Sequence, residues 1–120
     1  AKVHRISVTM CDLEYEGSLT LDTELMQAAD MIPYERVEVY DITNGNRFAT
    51  YLIEGEAGSG ECCLNGAAAH MVDIGDKVII TSYITLDDEA ASEHIPRVVL
   101  VDDSNRIKQV KDSELARVRN

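Results

Sequence analysis

Residues 37–53 read VEVYDITNGNRFATYLI, and this stretch decides the fold expected for the chain. Its two halves, Val37–Ile42 and Arg47–Ile53, are rich in the β-branched and aromatic residues that favour strands. The Asn44-Gly45 pair between them favours a tight turn with positive φ angles. The stretch therefore predicts a β-hairpin.

The second strand of this hairpin carries chemically useful side chains. Arg47 and Tyr51 are four positions apart, so a regular strand places both on one face. Thr50 then points to the opposite face unless a bulge intervenes. We expect this strand to present a guanidinium and a phenol on the same surface.

Short apolar runs separated by turns extend over the rest of the chain. They predict one or two strands from Val3 to Tyr15, a short strand at Cys62–Leu64, and strands at Lys77–Thr85 and Arg97–Val101. Helical spacing predicts a helix capped by Asp22 or Thr23 and running through Met31, one or two helical turns at Leu86–Ala91, and a solvated helix or disordered tail from Asn105. Many short strands with a single clear helix predict one compact β-barrel domain over all 120 residues.

The pair Gly17-Ser18 follows the first predicted strands and can support self-cleavage. A serine hydroxyl can attack the carbonyl of the residue before it, and glycine leaves that carbonyl open and tolerates a strained backbone. Elimination from the resulting ester would split the chain and leave, after loss of ammonia, a pyruvoyl ketone at residue 18. By itself a Gly-Ser pair is more often an ordinary turn, and a second one stands at Gly58-Ser59.

Three motifs together make the first pair more specific. They are Tyr-Glu-Gly-Ser at 15–18, Asn-Gly-x-Arg-Phe-x-Thr-Tyr at 44–51 and Asn-Gly-Ala-Ala-Ala-His at 65–70. In this order they resemble the pyruvoyl-dependent aspartate α-decarboxylases, and the resemblance runs from Lys2 to about Val101. Three separate motifs in register are far more specific than any one of them.

The resemblance implies a fold, a cofactor and an activity. The fold is a double-psi β-barrel with short helices that assembles as a homotetramer, with active sites between adjacent subunits. Cleavage between Gly17 and Ser18 gives a β chain, 1–17, and an α chain, 18–120, that starts with the pyruvoyl group. This group would bind the amino group of L-aspartate and accept the electrons released with the α-carboxylate. The product, β-alanine, would feed pantothenate and coenzyme A synthesis.

Two cations within the motifs suit a substrate with two carboxylates. Arg47 offers a planar fork for bidentate hydrogen bonds, and Lys2 offers a compact second charge. Tyr51 is a candidate general acid that protonates the carbon left by carbon dioxide, and the resemblance assigns it the same role. Tyr15 and Tyr40 could line the same pocket. Each of these residues alone is more often an ordinary strand or surface residue.

The remaining candidates act in processing or hold the substrate. Thr50 would donate a hydrogen bond to the oxyanion formed when Ser18 attacks Gly17. His4 could move protons during processing or polarise a substrate carboxylate, although a lone strand histidine is commonly structural. A turn of small residues resembles the family's turn that hydrogen-bonds the pyruvoyl group and the substrate through closely approaching backbone N–H groups. That turn comprises Asn65, Gly66, Ala67 and Ala68.

The composition argues against several other functions. The chain has 11 basic and 22 acidic residues and a net charge of -11, which argues against nucleic acid or an anionic membrane as a partner. Its three cysteines, two of them adjacent at Cys62 and Cys63, indicate reduced packing residues of a cytoplasmic protein. Cysteine and histidine do not occur at the spacing of a metal site, and no apolar run has the length of a membrane span.

Two alternatives stay open at the level of sequence. In one, the chain keeps this mechanism but prefers glutamate, because one methylene changes binding by only about 1 to 3 kcal/mol. In the other, Gly17-Ser18 stays intact, and Arg47 with Lys2 holds an anion in a non-enzymatic β-barrel. The sequence also leaves open whether another protein assists maturation.

Overall fold

A computed structural model describes residues 1–111 of this protein. The strands in this part of the chain are β1 (Lys2–Ser7), β2 (Met10–Asp12), β3 (Ser18–Asp22), β4 (Arg36–Asp41), β5 (Arg47–Gly55), β6 (Cys62–Asn65), β7 (Lys77–Thr81), β8 (Val98–Val101) and β9 (Ile107–Lys111). The helices are α1 (Thr23–Ala28), a 3-10 helix (Gly66–Met71) and α2 (Asp88–Glu93).

The nine strands of the described residues join in one sheet with the order β2-β6-β3-β5-β4-β7-β1-β8-β9. Three neighbouring pairs are parallel (β1 with β8, β2 with β6, β3 with β5), and the other five are antiparallel. Apolar side chains on the inner face of the sheet form one core, which includes Ile6, Leu19, Leu21, Leu52, Leu64 and Ile80. The predicted mainly β fold is confirmed, and the arrangement is consistent with a β-barrel.

The predicted hairpin is present as β4 and β5, which pair antiparallel without a break in register. Its turn is held by the buried carboxylate of Asp41, whose Oδ1 accepts hydrogen bonds from the backbone N–H groups of Thr43 at 2.8 Å and Asn44 at 3.1 Å. Gly45 has a positive φ of 82°, whereas Asn44 does not. A longer loop stabilised by Asp41 therefore replaces the tight Asn-Gly turn that we expected.

Helix α1 begins where the sequence predicts and ends earlier. The side chain of Asp22 caps its N-terminus, but the helix stops at Ala28 rather than Met31. Asp30 adopts a left-handed φ of 59°, and the N–H of Met31 turns back to the carbonyl of Met26 at 2.8 Å. This reversal supplies a partner to a carbonyl that the helix end leaves open, so the chain does not need another helical turn.

The last described strand departs from the prediction, because residues 107–111 form β9 against β8 where we expected a solvated helix or disorder. The buried side chain of Asn105 explains the difference. Its Nδ2 donates to the carbonyls of Ser7 at 2.9 Å and Gly60 at 2.8 Å, and its Oδ1 accepts from the N–H of Ser7 at 2.9 Å. These partners are far away in sequence, so no local pattern reveals them. The rest of the predicted tail, residues 112–120, lies outside the described residues.

Two other predicted boundaries move. The strand predicted at Lys77–Thr85 ends at Thr81, and the helical turns predicted at Leu86–Ala91 lie at Asp88–Glu93, where Asp87 caps the helix. Within residues 1–111, no helix has the length and apolar character needed to cross a membrane.

Candidate active site

The start of β3 carries a buried polar cluster. The antiparallel register of β3 and β6 pairs Ser18 with Asn65 and Thr20 with Cys63. Because side chains alternate along a strand, these four residues share one face, and we call them the Ser18 cluster. Ser18 is 0% exposed, Asn65 2% and Cys63 6%. The face therefore holds polar groups away from water.

The side-chain amide of Asn65 is the centre of this cluster. Its Nδ2 donates to Ser18 Oγ at 2.9 Å and to Thr20 Oγ1 at 2.9 Å. Its Oδ1 accepts a hydrogen bond from the Cys63 thiol at 3.2 Å. The Ser18 hydroxyl itself donates to the backbone carbonyl of Glu16 at 3.1 Å. A fully partnered buried network of this kind holds Ser18 Oγ in one position beside the peptide bond that precedes it.

Gly66 allows the turn after β6 to approach the Gly17 backbone closely. Its φ is +63°, and a Cβ at this position would lie 2.7 Å from both Cα and N of Gly17 and 2.9 Å from the carbonyl oxygen of Tyr15. At Gly17 the backbone is not left-handed, and the nearest atom to an added Cβ is 4.0 Å away. Gly17 therefore leaves the space beside its carbonyl open, and the glycine that the packing requires is Gly66.

The 3-10 helix begins at the turn predicted to bind a ligand. Asn65 occupies its N-cap position, but the side chain makes no cap hydrogen bond because it is turned towards Ser18. Ala67 is exposed and Ala68 is half-buried. The first N–H groups of a helix lack partners within it, so this turn directs polar backbone beside the Ser18 cluster.

Tyr51 lies level with Ser18 on the neighbouring strand β5. In the parallel pairing of β3 and β5, Leu19 is opposite Leu52. The residues before them, Ser18 on β3 and Tyr51 on β5, therefore also form a level pair, and both side chains point to the same face of the sheet. Thr50 points to the other face, because the register of β5 contains no bulge. The described hydrogen bonds of Ser18 go to Glu16 and Asn65 and not to Thr50.

Arg47, at the start of β5, stacks on an aromatic pair. Its guanidinium carbon lies 4.1 Å from the ring centroid of Tyr40, and the hydroxyl of Tyr40 is 2.8 Å from that of Tyr83. The hydrogen bond with Tyr83 is the main cause that raises the pKa of Tyr40. Arg47 itself is exposed, so the N–H donors of its guanidinium are accessible to a ligand. The Tyr40 ring meanwhile holds the plane of the guanidinium in place.

Lys2 and His4 lie two positions apart on β1, on the face opposite the buried Val3. Lys2 and Tyr40 line a cavity of about 330 Å³ together with Tyr83, His94 and Arg97. We call Lys2, His4, Tyr40 and Arg47 the cationic face. It carries basic side chains within a protein that is acidic overall.

The Ser18 cluster and the cationic face are separate within the described chain. In the sheet order, β5, β4 and β7 lie between β3 and β1. Arg47 precedes Tyr51 by four positions, which is about 13 Å along a strand. The structure therefore brings Tyr51, Asn65 and Gly66 to Ser18, and it leaves Lys2, His4 and Arg47 elsewhere on the surface.

Sequence reasoning missed three side chains in these groups, namely Thr20, Cys63 and Tyr83. Period-two alternation could have found the first two, because they stand two positions from Ser18 and Asn65. Tyr83 follows the end of β7 and is 43 positions from Tyr40, so no local pattern connects the two hydroxyls.

The fold and the site together define a class, a mainly β protein with a buried serine held directly after a glycine and a separate face that carries basic side chains. Residues 1–108 match the family model described as Aspartate decarboxylase. A protein of Syntrophus aciditrophicus named Aspartate 1-decarboxylase is 55% identical over 108 residues, which cover 90% of this chain and 93% of that one. Proteins of the same name from Syntrophotalea carbinolica and Ralstonia nicotianae are 54% and 50% identical, over 88% and 92% of this chain and 80% and 92% of their own.

This chain belongs to the aspartate decarboxylase family. The family model covers residues 1–108, which include both the Ser18 cluster and the cationic face, and the relatives are 50–55% identical over most of the chain. The resemblance drawn from the three motifs is confirmed.

Proposed function

We propose that this protein decarboxylates L-aspartate to β-alanine and carbon dioxide with a pyruvoyl group made from its own Ser18. Membership of the aspartate decarboxylase family supports the reaction. The observation that carries the pyruvoyl part is the position of Ser18 Oγ, which is buried directly after Gly17 and held 2.9 Å from Asn65 Nδ2. A serine in an ordinary turn is usually exposed.

Self-cleavage uses the groups around Ser18. Its Oγ bonds to the carbonyl carbon of Gly17 while the bond from that carbon to the Ser18 nitrogen breaks, and the hydroxyl proton ends on this nitrogen. The N–H of Asn65 stabilises negative charge on Oγ as the proton leaves. Thr50, which the parallel register of β3 and β5 places level with Gly17 rather than with Ser18, is the proposed donor to the Gly17 oxyanion. Elimination from the ester then releases residues 1–17 with a carboxylate at Gly17 and leaves dehydroalanine at residue 18 of the chain 18–120. Dehydroalanine takes up water and loses ammonia to give the ketone.

The residues around position 18 fit a pyruvoyl group. Asn65 Nδ2 lies 2.9 Å from Ser18 Oγ, and Gly66 packs against the Gly17 backbone where a side chain would not fit. The amide of Asn65 and the backbone N–H groups of Gly66, Ala67 and Ala68 would hold the oxygens of the group. The group supplies a ketone next to an amide carbonyl, which together withdraw electrons from the carbon that loses carbon dioxide. Tyr51, level with residue 18, delivers the proton that replaces it.

The cationic face holds the two carboxylates of aspartate. The guanidinium of Arg47, held over Tyr40, receives one of them through paired hydrogen bonds. Lys2 supplies the second positive charge, and His4 beside it donates a further hydrogen bond or moves a proton. Fixing both carboxylates sets which one departs, because the bond that breaks must face the electron-withdrawing group.

The separation of the two groups supports an active site shared between copies of the chain. We propose a homotetramer in which the cationic face of one subunit lies beside the Ser18 cluster of the next. Several large apolar side chains are exposed and give such an assembly surface to bury, among them Tyr34 at 77%, Ile84 at 68% and Ile95 at 60%. A lone chain would then bind aspartate poorly.

The setting that we propose is the cytoplasm, where β-alanine would supply pantothenate and coenzyme A synthesis. The three cysteines of the described residues are free, and burial raises the pKa of each thiol. Unoxidised thiols fit a reducing compartment. The net charge of -11 supports a small-molecule substrate rather than nucleic acid or an anionic membrane.

Intact mass of the purified protein under denaturing conditions tests this proposal. We expect two chains, 1–17 and 18–120, with the larger one lighter by one ammonia than a fragment that starts with serine. Borohydride in the presence of aspartate should attach the amino acid to the larger chain. Ser18→Ala is the control, and it should remain a single chain without activity.

Other outcomes separate the alternatives. One uncleaved mass after long incubation, together with anion binding and no activity, would identify a binding protein instead. Cleavage that appears only after incubation with a cell extract would show that a maturation factor is needed. Faster turnover of glutamate than of aspartate would keep the mechanism and change the substrate.

A further inference from the structure

The thiol of Cys63 lies next to the amide that holds Ser18. Cys63 and Asn65 stand two positions apart on β6, and the Cys63 thiol donates to Asn65 Oδ1 at 3.2 Å. Both side chains are buried, at 6% and 2% exposure. The proposed mechanism gives Cys63 no part. Its thiol nevertheless contacts the side chain that hydrogen-bonds the reacting serine, so it can affect that serine through Asn65.

The consequence concerns which way the Asn65 amide faces. An asparagine amide can turn over and exchange its oxygen with its nitrogen, and the two orientations differ only in hydrogen bonding. In the observed orientation the two N–H bonds go to Ser18 and Thr20, and the oxygen faces a thiol donor. In the reverse orientation the N–H bonds would face sulfur, a weak acceptor, and Ser18 would meet an oxygen.

The orientation matters to the chemistry at Ser18. An N–H directed at Oγ stabilises the negative charge that develops when the hydroxyl loses its proton. An oxygen in the same place would instead accept a hydrogen bond from the Ser18 hydroxyl and repel the negative charge that develops on Oγ. The acyl shift needs no other reactant, since the Gly17 carbon exchanges its bond to nitrogen for a bond to Oγ and the proton passes from oxygen to nitrogen.

Cys63 is in the form that can donate. Burial is the first cause that raises the pKa of Cys63, and the acidic groups of Glu61 and Asp12 raise it further. The side chain therefore remains a thiol rather than a thiolate at neutral pH. A thiolate would repel Asn65 Oδ1 and favour the reverse orientation.

We propose that Cys63 is a positioning residue for self-cleavage, which fixes the Asn65 amide so that an N–H points at Ser18 Oγ. This inference rests on the proposed function, because it assigns a part in the cleavage of Gly17-Ser18. It adds to that function a residue that touches neither the substrate nor the reacting carbonyl.

Three single variants test the inference by the rate at which the intact chain gives the two fragments. Cys63→Ala removes the donor and should slow cleavage about five- to tenfold, which corresponds to one hydrogen bond. Cys63→Ser keeps a donor and should restore most of the lost rate. Cys62→Ala is the matched control, because Cys62 is the neighbouring buried cysteine on the core face, with 0% exposure. This control should unfold more easily but cleave at the parental rate.

The outcomes distinguish positioning from packing. A parental rate in Cys63→Ala would overturn the inference while leaving the proposed function intact. Equal slowing in Cys62→Ala, or no recovery in Cys63→Ser, would also overturn it, because loss of packing would then explain the effect.

A second measurement does not depend on cleavage. In the uncleaved chain, the side-chain NH₂ protons of Asn65 should exchange slowly with solvent by nitrogen-resolved NMR, and Cys63→Ala should speed this exchange. If the parent never cleaves, the proposed function fails by that result alone. Unchanged exchange in Cys63→Ala would show that the thiol does not hold the amide.

Discussion

The Ser18 cluster and the cationic face are built in opposite ways. In the cluster, neutral side chains are buried and the Asn65 amide has a partner for its oxygen and for both N–H bonds. On the cationic face, Arg47 is exposed and a cavity of about 330 Å³ opens beside Lys2. Under the proposed function, the buried cluster is already arranged for self-cleavage, whereas the cationic face is open to a substrate or to a second subunit.

The largest effect is expected from Gly66→Ala, which disrupts the Ser18 cluster. The new Cβ would lie 2.7 Å from the backbone of Gly17, and its φ of +63° strains alanine. A shift of about 1 Å at the reacting carbonyl is enough to slow cleavage about 100-fold, which intact mass against time will measure. Gly45→Ala is the control, since it has a φ of +82° and nothing within 4 Å. Equal slowing in both variants would assign the effect to backbone strain and not to contact with Gly17.

A smaller effect is expected from Arg47→Ala, which disrupts the cationic face. Loss of a charge-assisted pair of hydrogen bonds should lower kcat/KM for aspartate about 10- to 100-fold. Self-cleavage should keep its rate, because Arg47 is remote from Ser18. Lys108→Ala removes an exposed cation from β9 and should change neither quantity. Slower cleavage in Arg47→Ala would mean that the two regions are not independent.

Tyr83→Phe sharpens the comparison by loosening the cationic face without removing a charge. The variant loses the hydrogen bond between Tyr83 and Tyr40, so the ring under Arg47 is held less firmly. We expect KM for aspartate to rise about threefold with little change in kcat. This change corresponds to part of the free energy of one hydrogen bond. The pKa of Tyr40 should fall, because this hydrogen bond is the first cause of its rise.

The smallest effect is expected at Asp41, which holds the hairpin loop that leads to Arg47. Burial first, and then the neighbouring Asp76 carboxyl, raise the pKa of Asp41 above its usual 3.8. The folded state thus favours the protonated form, and the parent loses this stability as the pH rises through the raised pKa. Asp41→Asn cannot ionise and keeps an oxygen for the loop N–H groups. It should be about 1 kcal/mol more stable than the parent at pH 7 and equal to it at low pH, by urea unfolding at each pH.

A lower stability of Asp41→Asn at pH 7 would show that the carboxylate charge itself holds the loop. Asp103→Asn is the control, because it replaces a fully exposed carboxylate whose salt bridge to Lys77 should contribute little. Neither variant should alter the rate of self-cleavage.

Local patterns were sufficient for the parts of the fold that depend on near neighbours. The hairpin of β4 and β5, the Asp22 cap and the Gly17-Ser18 motif all follow from residues a few positions apart. The end of α1 did not follow, because helical spacing does not reveal the left-handed φ of Asp30 that turns the chain back on itself. The strand β9 did not follow, because distant partners hold Asn105. Periodicity contains no information about such partners.

For the candidate site, the sequence by itself determined the family and supplied the proposed reacting pair and most of the candidates, because these lie within contiguous motifs. Only the tertiary structure decided that Cys63 hydrogen-bonds Asn65 and that Tyr83 hydrogen-bonds Tyr40. It alone also decided that packing excludes a side chain at Gly66 and not at Gly17. It also decided that Lys2 and Arg47 stand apart from Ser18. The physical reason is that motifs specify which groups are present, whereas strand order and register set which of them lie within hydrogen-bonding distance.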